Sequence, residues 1–227
     1  MTETEIIDRY IDDHSDEEGE YLHQLWRATN IHTIHGRMVS GHLQGRLLKM
    51  FVNMIRPHHI LEIGTFSGYS AICMAEGLAE ISHETGDSHR KVHTFEINDE
   101  MEDFTRKWID GSEVKEWIDF RIGDAKALAP QLGIVFDMAF VDGNKRTYVE
   151  DYEMVLSILR PGGYILADNT LWDGHVVDPK YDRDQQTRGI REFNDHVAHD
   201  PRVEKVLLPL RDGLTIIRKK GTVSGLV

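Results

Sequence analysis

Residues 136–169 read FDMAFVDGNKRTYVEDYEMVLSILRPGGYILADN, and this stretch decides the fold class. It opens with an apolar run that ends at Asp142 and closes with a second run that ends at Asp168 and Asn169. Between them, TYVEDYEMVLSIL carries apolar residues at helical spacing. Two buried strands joined by a helix are typical of α/β proteins, in which neighbouring strands of the sheet run parallel.

The same alternation of strands and helices continues on both sides of that stretch. Residues 57–220 therefore predict an α/β core with a mostly parallel sheet and helices on both faces. Near the end, VEKVLLPL and LTIIRKK are joined by RDG, which predicts an antiparallel hairpin and makes the sheet mixed. The sequence RPGG at residues 160–163 predicts a turn before the fifth strand. The predicted strands cover residues 58–64, 91–97, 117–123, 136–142, 163–169, 203–210 and 214–220.

Residues 1–56 differ from this core because they predict helices almost throughout. Apolar residues recur at helical spacing in YLHQLWRATNI and in LQGRLLKMFVNMI, with a glycine-containing loop between the two segments. Pro57 ends this N-terminal helical extension. From a length of 227 residues we expect one domain, residues 1–227, made of the extension and the core at 57–220.

The composition limits the class of partner and the compartment. A formal net charge of −13 disfavours electrostatic binding to nucleic acid or to an anionic membrane. The single cysteine, Cys73, excludes an internal disulfide and predicts a buried thiol. Because the sequence shows neither a signal-like segment nor an apolar stretch of about 20 residues, we expect a cytoplasmic protein without a membrane span. A local basic patch remains an alternative, because four arginines lie near one another late in the chain: Arg183, Arg188, Arg191 and Arg202.

Oxygen-bearing side chains follow two of the predicted strands where each strand ends. Asp142 follows one strand, and Asp168 and Asn169 follow the next. The carboxyl ends of neighbouring parallel strands meet at the crevice where open α/β sheets bind ligands. Two carboxylates and an amide oxygen suit a hard divalent cation such as Mg²⁺ or Ca²⁺ better than Zn²⁺. Lys145, three residues past Asp142, is a candidate proton acceptor beside that cation.

A glycine turn, LEIGTFSGYSA at residues 61–71, joins the first predicted strand to a helix. Gly64 and Gly68 permit tight turns and the close approach of a ligand, and the helix start near Tyr69 directs free N–H groups towards it. The spacing G-x-x-x-G differs from the G-x-G-x-x-G of nicotinamide dehydrogenases and disfavours that class. Glu96 closes the second strand, where an acidic side chain can accept hydrogen bonds from ribose hydroxyls.

Several ordered motifs between Met38 and Lys219 carry a resemblance to a known family. They are MVSGHLQG, LEIGTFSGYSA, FEIN, GDA, FVDGNKRTY, GGYILADNTLWDG and DPRVEKVLLPLRDGLTIIRK. In these motifs the chain resembles the cation-dependent S-adenosylmethionine O-methyltransferases, the group that contains catechol and caffeoyl-CoA O-methyltransferases. The resemblance implies a Rossmann-like class I methyltransferase fold with a seven-stranded mixed sheet, a reversed last strand and a homodimer.

The resemblance also implies roles for individual residues. Asp142, Asp168 and Asn169 match the metal ligands, and Lys145 matches the proposed base. The positions that match the methyl-donor site are Met38, Ser40, Glu62, Gly64, Thr65, Ser70, Glu96, Gly123, Asp124, Ala125 and Asp142.

Two further residues are candidates for contact with the acceptor. Trp172 follows the metal residues in a loop, where its ring could either stack on an aromatic acceptor or anchor the loop by local packing. Asn194, with Arg191, lies on the following predicted helix and is a weaker candidate.

The implied reaction moves a methyl group from S-adenosylmethionine to a hydroxyl of a small catechol-like or caffeoyl-type acceptor. A phenol has a pKa of about 10, and a divalent cation (Mg²⁺, Ca²⁺ or Mn²⁺) bound to its oxygen stabilises the phenolate. The TLWDG loop is similar to the caffeoyl-CoA branch, whereas Gly143 and Asn144 stand where animal catechol enzymes carry bulky residues. Two alternatives stay open: a tRNA hydroxyuridine O-methyltransferase of the same branch, and a non-catalytic nucleotide-binding module.

Overall fold

The computed structural model describes residues 3–221, with side chains from residue 6 onward. The chain groups into two compact units. The first contains Met1–Arg56, Thr65–Val92 and Asn98–Phe120, and the second contains Pro57–Gly64, His93–Ile97 and Arg121–Val227. The expectation of one domain over residues 1–227, which includes terminal residues outside the described range, stays a prediction.

Helices and strands alternate along the described residues, as the sequence predicts. The helices are α1 (Glu3–Asp13), α2 (Glu20–His32), α3 (His42–Ile55), α4 (Tyr69–Thr85), α5 (Glu102–Asp110), α6 (Ala125–Leu128), α7 (Tyr148–Ile158) and α8 (Gln185–His199). The strands are β1 (His59–Ile63), β2 (Lys91–Glu96), β3 (Ile118–Ile122), β4 (Phe136–Val141), β5 (Leu159–Ala167), β6 (Val203–Leu208) and β7 (Leu214–Lys219). Short 3₁₀ segments, which the sequence analysis did not predict, occupy several of the connections.

The seven strands form one mixed sheet in the order β3-β2-β1-β4-β5-β7-β6. Strand β4 pairs in parallel with β1 and with β5, whereas β7 runs antiparallel to both β5 and β6. The predicted seven-stranded sheet with a closing hairpin and a reversed last strand is therefore confirmed. The strand order changes direction between β1 and β4, which is the position where open α/β sheets bind ligands at the carboxyl ends of their strands.

The start of β5 corrects one prediction. RPGG does not form a turn that precedes the strand, because β5 begins at Leu159 and passes through it. The pairing with β4 is irregular here: Phe136 lies opposite Leu159, but Met138 lies opposite Tyr164. Gly162 has a φ of 77°, a left-handed conformation that suits a bulge. The glycines and proline thus place an irregularity inside the strand rather than a break before it.

In the first unit, α3 and α4 lie close together because each has a glycine where the other approaches. A Cβ at Gly45 would lie 2.7 Å from the Cys73 sulfur, and one at Gly77 would lie 2.9 Å from Val52. Cys73 is fully buried, as predicted, and burial raises the pKa of its thiol to about 12. The thiol is therefore protonated at neutral pH and serves as a small packing group.

In the second unit, one apolar cluster joins strands of the sheet to α7 and α8. Phe193 on α8 makes edge-to-face contacts with Tyr148 and Tyr152 on α7, at ring-centroid distances of 5.3 and 6.0 Å. Large buried rings dominate the energetics of such a core, so α7 and α8 are firmly placed on one another. Helix α8 begins at Gln185, where the Asp184 side chain accepts a hydrogen bond from the Thr187 N–H at 2.7 Å. Among the described residues, no helix combines the length and the apolar character that a membrane span requires.

Candidate active site

The ends of β4 and β5 bring two carboxylates side by side in the second unit. Val141 and Ala167 are paired residues of these neighbouring strands, and Asp142 and Asp168 are the residues that follow them. The Asp168 N–H donates to the Val141 carbonyl at 3.0 Å, so the pairing continues to the carboxylates themselves. The parallel alignment of the two strands is therefore the reason that acidic residues 26 positions apart in sequence belong to one site.

Lys145 lies against this pair and is itself buried. Its Nζ donates to Asp142 Oδ1 at 2.6 Å and to the Tyr148 hydroxyl at 2.7 Å. The hydroxyl of Tyr148 lies 3.0 Å from the Asp168 carbonyl oxygen and donates to it. Tyr148 thus connects Lys145 to both strand ends. Asp142, Lys145 and Tyr148 follow one another at intervals of three residues, a spacing that is consistent with this contact. No role was predicted for Tyr148 from the sequence.

The charges of the site are only partly balanced by the protein. Burial raises the pKa of Asp142 to about 6, the Asp168 carboxylate acts in the same direction, and the Lys145 ammonium opposes both. Burial also raises the pKa of the Tyr148 hydroxyl well above its ordinary value, so this group stays protonated. The Arg211 charge also opposes the rise, yet the pKa of Asp142 stays above its ordinary value, and this arrangement favours an additional cation.

Asn169 completes the oxygen donors predicted at this position. It has a left-handed backbone with a φ of 56°, which asparagine tolerates better than most residues, and its N–H donates to Asp168 Oδ1 at 2.9 Å. The two carboxylates and the amide of Asn169 are hard oxygen donors. The residues present therefore fit a hard divalent cation.

The loop from Asp168 to Asp184, called the β5–α8 loop below, borders this cluster. The Trp172 ring centroid lies 5.9 Å from Lys145 Nζ. The turn between β6 and β7 holds the start of the loop: the Asp212 carbonyl accepts the Leu171 N–H at 2.8 Å, and its carboxylate accepts the Asp173 N–H. Sequence reasoning missed Asp212, because its partners are backbone groups of a distant segment.

Helix α8 holds the same loop from another side. The Asn194 amide donates to the Thr170 carbonyl at 2.8 Å, and Arg191 donates to three loop carbonyls and to Asp182. Both residues were candidates for acceptor contact, and their side chains contact this loop. The late arginines are also partly neutralised, since Arg191 pairs with Asp182 and Arg202 pairs with Asp200.

Predicted donor residues of the second unit lie in the turns that follow β1, β2 and β3. Glu62 is fully buried and accepts a hydrogen bond from the Thr94 hydroxyl. Gly64 has a φ of 96°, and a Cβ at this position would overlap the Asp142 carbonyl, so only glycine fits. Glu96 ends β2, and its carbonyl accepts the Gly123 N–H at 2.8 Å.

Asp124 and Ala125 follow directly after Gly123. The Asp124 side chain caps α6 by accepting the Lys126 N–H at 2.9 Å, and Ala125 is the first, buried residue of that helix. These three predicted donor-site residues therefore form the turn that enters α6.

Four predicted donor residues belong to the first unit. Ser40, Thr65 and Ser70 are buried, whereas Met38 is 59% exposed. Gly68 precedes α4 with a φ of 87°. The Ser67 hydroxyl in the same turn is buried without a hydrogen-bond partner, which is an unusual state for a polar atom. Ser67 was not among the predicted donor residues, although its position between Gly64 and Gly68 could have indicated a place in the donor site.

A second group of potential ligands lies elsewhere in the second unit. Glu153, His196 and Asp200 approach one another closely enough for a metal ion. Arg202 already occupies this cluster, because its guanidinium donates to both oxygens of Glu153 and to both oxygens of Asp200 at 2.6–3.0 Å. Tyr152 donates a further hydrogen bond to Asp200 at 2.7 Å. The acidic oxygens are satisfied by the protein, so we interpret this cluster as structural.

Comparison with known proteins identifies the family. The O-methyltransferase family model matches residues 12–220. Tricin synthase 2 from Oryza sativa subsp. japonica is 34% identical over 214 residues, covering 89% of this chain and 70% of the relative. Caffeoyl-CoA O-methyltransferase 1 from Eucalyptus globulus is 33% identical over 196 residues, covering 80% and 75%.

A solved structure agrees with these relatives. The O-methyltransferase TomG from Streptomyces achromogenes, involved in tomaymycin synthesis and solved in complex with SAM, superposes with a TM-score of 0.85 and 27% identity. The similarity covers 97% of this chain and the whole of that one. Strand order, motif positions and family match agree, and the chain belongs to the O-methyltransferase family.

Proposed function

We propose that this O-methyltransferase transfers the methyl group of S-adenosylmethionine, in a divalent-cation-dependent reaction, to a hydroxyl of a small catechol-like or caffeoyl-type acceptor. The observation that carries the proposal is the buried Lys145 ammonium, 2.6 Å from Asp142 and beside Asp168. Family membership supports the reaction class. The donor is supported by the SAM complex of TomG, and the acceptor class by the name of the Eucalyptus relative.

Asp142, Asp168 and Asn169 would hold the cation, with Mg²⁺ as the expected ion and Ca²⁺ or Mn²⁺ as alternatives for the same oxygen donors. A cation at this position supplies stabilisation of the phenolate oxygen and orientation of a vicinal diol. The chain contributes a buried, acidic pocket wall that also suits the positive sulfur of the methyl donor.

Lys145 is the group of this chain that is placed to hold the proton of the acceptor hydroxyl. Its Nζ has two fixed partners, the Asp142 carboxylate and the Tyr148 oxygen, which orient it. Tyr148 in turn is fixed by the Asp168 carbonyl. Such positioned proton acceptors contribute roughly 10²–10⁴-fold to a rate.

The turns after β1 and β2 would bind the donor. Gly64 allows the backbone of β1 to pass close to the Asp142 carbonyl, and the buried Glu62 carboxylate is oriented by Thr94. Glu96 offers carboxylate oxygens at the end of β2 for ribose hydroxyls. The homodimer and the disfavoured binding of nucleic acid, with a tRNA acceptor kept as the alternative, stay predictions from the sequence. The pairing of Arg191 and Arg202 with carboxylates supports the second.

An activity screen tests the proposal. The purified chain is incubated with methyl-labelled donor and either Mg²⁺ or EDTA, against catechol, a flavonoid with vicinal hydroxyls, a caffeoyl thioester and a hydroxyuridine tRNA. We expect label on at least one vicinal-diol acceptor and its loss in EDTA. Label on tRNA alone would establish the nucleic-acid alternative, and donor binding without any transfer would establish the non-catalytic one.

A further inference from the structure

One side chain on α8 makes four hydrogen bonds to the β5–α8 loop. Arg191 donates from Nε to the Val176 carbonyl at 2.9 Å and from Nη2 to the carbonyls of His175 and Asp178, each at 2.9 Å. Its Nη1 donates to the Asp182 carboxylate at 2.7 Å. All three guanidinium nitrogens are therefore used within one segment of eight residues.

The loop has little regular structure of its own. It contains two short 3₁₀ segments, Trp172–Val177 and Pro179–Tyr181, and the first is interrupted by left-handed backbone at Asp173 and Gly174. Short 3₁₀ segments have poor hydrogen-bond geometry and are weakly stable alone. The charge-assisted bonds from Arg191 consequently supply a large part of the order of this segment.

The segment that Arg191 holds continues directly into the candidate active site. The loop starts at Asp168 and Asn169, and Trp172 lies beside Lys145. Its first residues are fixed by Asp212 and Asn194, as described above. Arg191 fixes the next part, residues 175–182, which those two contacts do not reach.

We propose that Arg191 is a positioning residue that holds the β5–α8 loop as a preformed wall of the acceptor pocket. This inference rests on the proposed function, because the pocket is that of the methyl acceptor. Arg191 acts through the loop and not by touching the acceptor. Its removal should weaken acceptor binding and leave donor binding unchanged.

The geometry requires arginine rather than any cation. A planar guanidinium presents five N–H donors in a fixed fork and can serve carbonyls on several sides at once. A lysine ammonium is a compact point charge on a flexible stem, so Arg191→Lys would retain the Asp182 ion pair and lose most of the carbonyl contacts. The lysine variant therefore separates the positioning role from a simple charge effect.

The test compares Arg191→Ala and Arg191→Lys with Arg188→Lys. Arg188 is an exposed arginine one turn earlier on α8 and is a matched control. With a catechol acceptor and Mg²⁺, we expect both Arg191 variants to raise the acceptor KM about 10- to 100-fold, because apparent affinity falls in proportion to the fraction of molecules whose loop is in the binding-competent state. The dissociation constant of the donor, measured by calorimetry, should change less than twofold, and amide hydrogen exchange of residues 172–184 should accelerate at least tenfold.

The outcomes separate this inference from the proposed function. A wild-type chain that transfers no methyl group would overturn the proposed function, and with it the pocket role of Arg191. An active wild type whose Arg191→Lys variant retains the acceptor KM and the loop protection would overturn the inference alone. Equal losses of donor and acceptor affinity with a lowered melting temperature would also overturn it, because they indicate a general loss of structure.

Discussion

Two clusters of the second unit bring carboxylates together with a basic side chain, and they differ in how completely that side chain satisfies them. In one cluster, Arg202 donates to every carboxylate oxygen of Glu153 and Asp200. In the other, Lys145 offers a single ammonium to Asp142, with Asp168 close by. The first cluster is a closed network of hydrogen bonds, whereas in the second the charges of Lys145 and Arg211 do not offset the burial of Asp142.

The pKa values of the two clusters shift in opposite directions for this reason. Hydrogen bonds from Arg202 hold the pKa of Asp200 well below its ordinary value. Burial raises the pKa of Asp142 instead, and the charges of Lys145 and Arg211 do not compensate for it. A site that is incompletely satisfied is suited to bind a ligand, while a satisfied one contributes to stability. Closeness of acidic groups alone would select Glu153, His196 and Asp200 as a metal site, whereas we propose the cation at Asp142 and Asp168.

The largest effect should come from Asp168→Ala. This change removes one predicted cation ligand but leaves the glycine turn and Glu96 in place. We expect cation-dependent methyl transfer to fall at least about 10³-fold, while the donor dissociation constant changes little. The measurement is initial rate with Mg²⁺ together with calorimetric donor binding. The corresponding change in the other cluster, Glu153→Ala, should leave the rate unchanged. Full activity of Asp168→Ala in EDTA would show that the metal assignment is wrong.

A smaller loss of rate is expected for Lys145→Met, which keeps the length of the side chain but removes the ammonium. We expect kcat to fall about 10²–10³-fold with an unchanged donor dissociation constant, because a positioned proton acceptor is lost. Lys49→Met is the control, since Lys49 pairs with Glu80 at the same 2.6 Å distance in the first unit. An unchanged kcat would remove Lys145 from the reaction.

For the Arg202 cluster we predict an effect on stability and none on the rate. Arg202→Met leaves the buried Asp200 without its cation, and because Arg202 is itself half-exposed the expected loss is about 2 kcal/mol, between the values for surface and buried pairs. Urea denaturation measures this loss, and kcat at low temperature should not change. If Zn²⁺ raised the stability of the wild-type chain, Glu153, His196 and Asp200 would be a metal site, contrary to our interpretation.

Local periodicity explains why much of the fold could be predicted and part could not. Alternating strands and helices and the closing hairpin that makes the sheet mixed follow from patterns within short windows, whereas the reversed last strand was implied by the family resemblance. The early start of β5 was missed because Gly162 permits a bulge that resembles a turn in sequence.

The same distinction applies to the candidate site. Asp142 and Asp168 could be placed together, since each ends a strand and the strands are neighbours. The contacts of Asp212 and Arg191 could not, because their partners are backbone groups whose position depends on the path of the β5–α8 loop. Unlike helix caps, hydrogen bonds to backbone atoms of a distant segment leave no signature in residue type.

The smallest expected effect concerns how stability depends on pH: the contributions of Asp142 and Asp200 should change with pH in opposite directions. In cation-free protein, the pKa of Asp142 is about 6 in the folded state, against about 3.9 in an unfolded chain. The folded state therefore binds a proton at the Asp142 carboxylate more tightly than the unfolded chain does. The stability that this bound proton contributes is present below about pH 4 and is lost as the pH rises through about 6. Asp200, with a lowered pKa, behaves oppositely: its contribution is present above about pH 4 and lost as pH falls.

Single isosteric variants isolate the two contributions. In EDTA, Asp142→Asn should gain on the order of 1 kcal/mol relative to wild type between about pH 4.5 and 7, because the variant no longer carries a poorly compensated charge. Asp200→Asn should lose stability over the same range, and the loss should shrink as the solution is made more acidic. Urea midpoints at several pH values measure both. Parallel curves for the two variants would mean that Asp142 is as well satisfied as Asp200, and the contrast between an open and a closed cluster would fail.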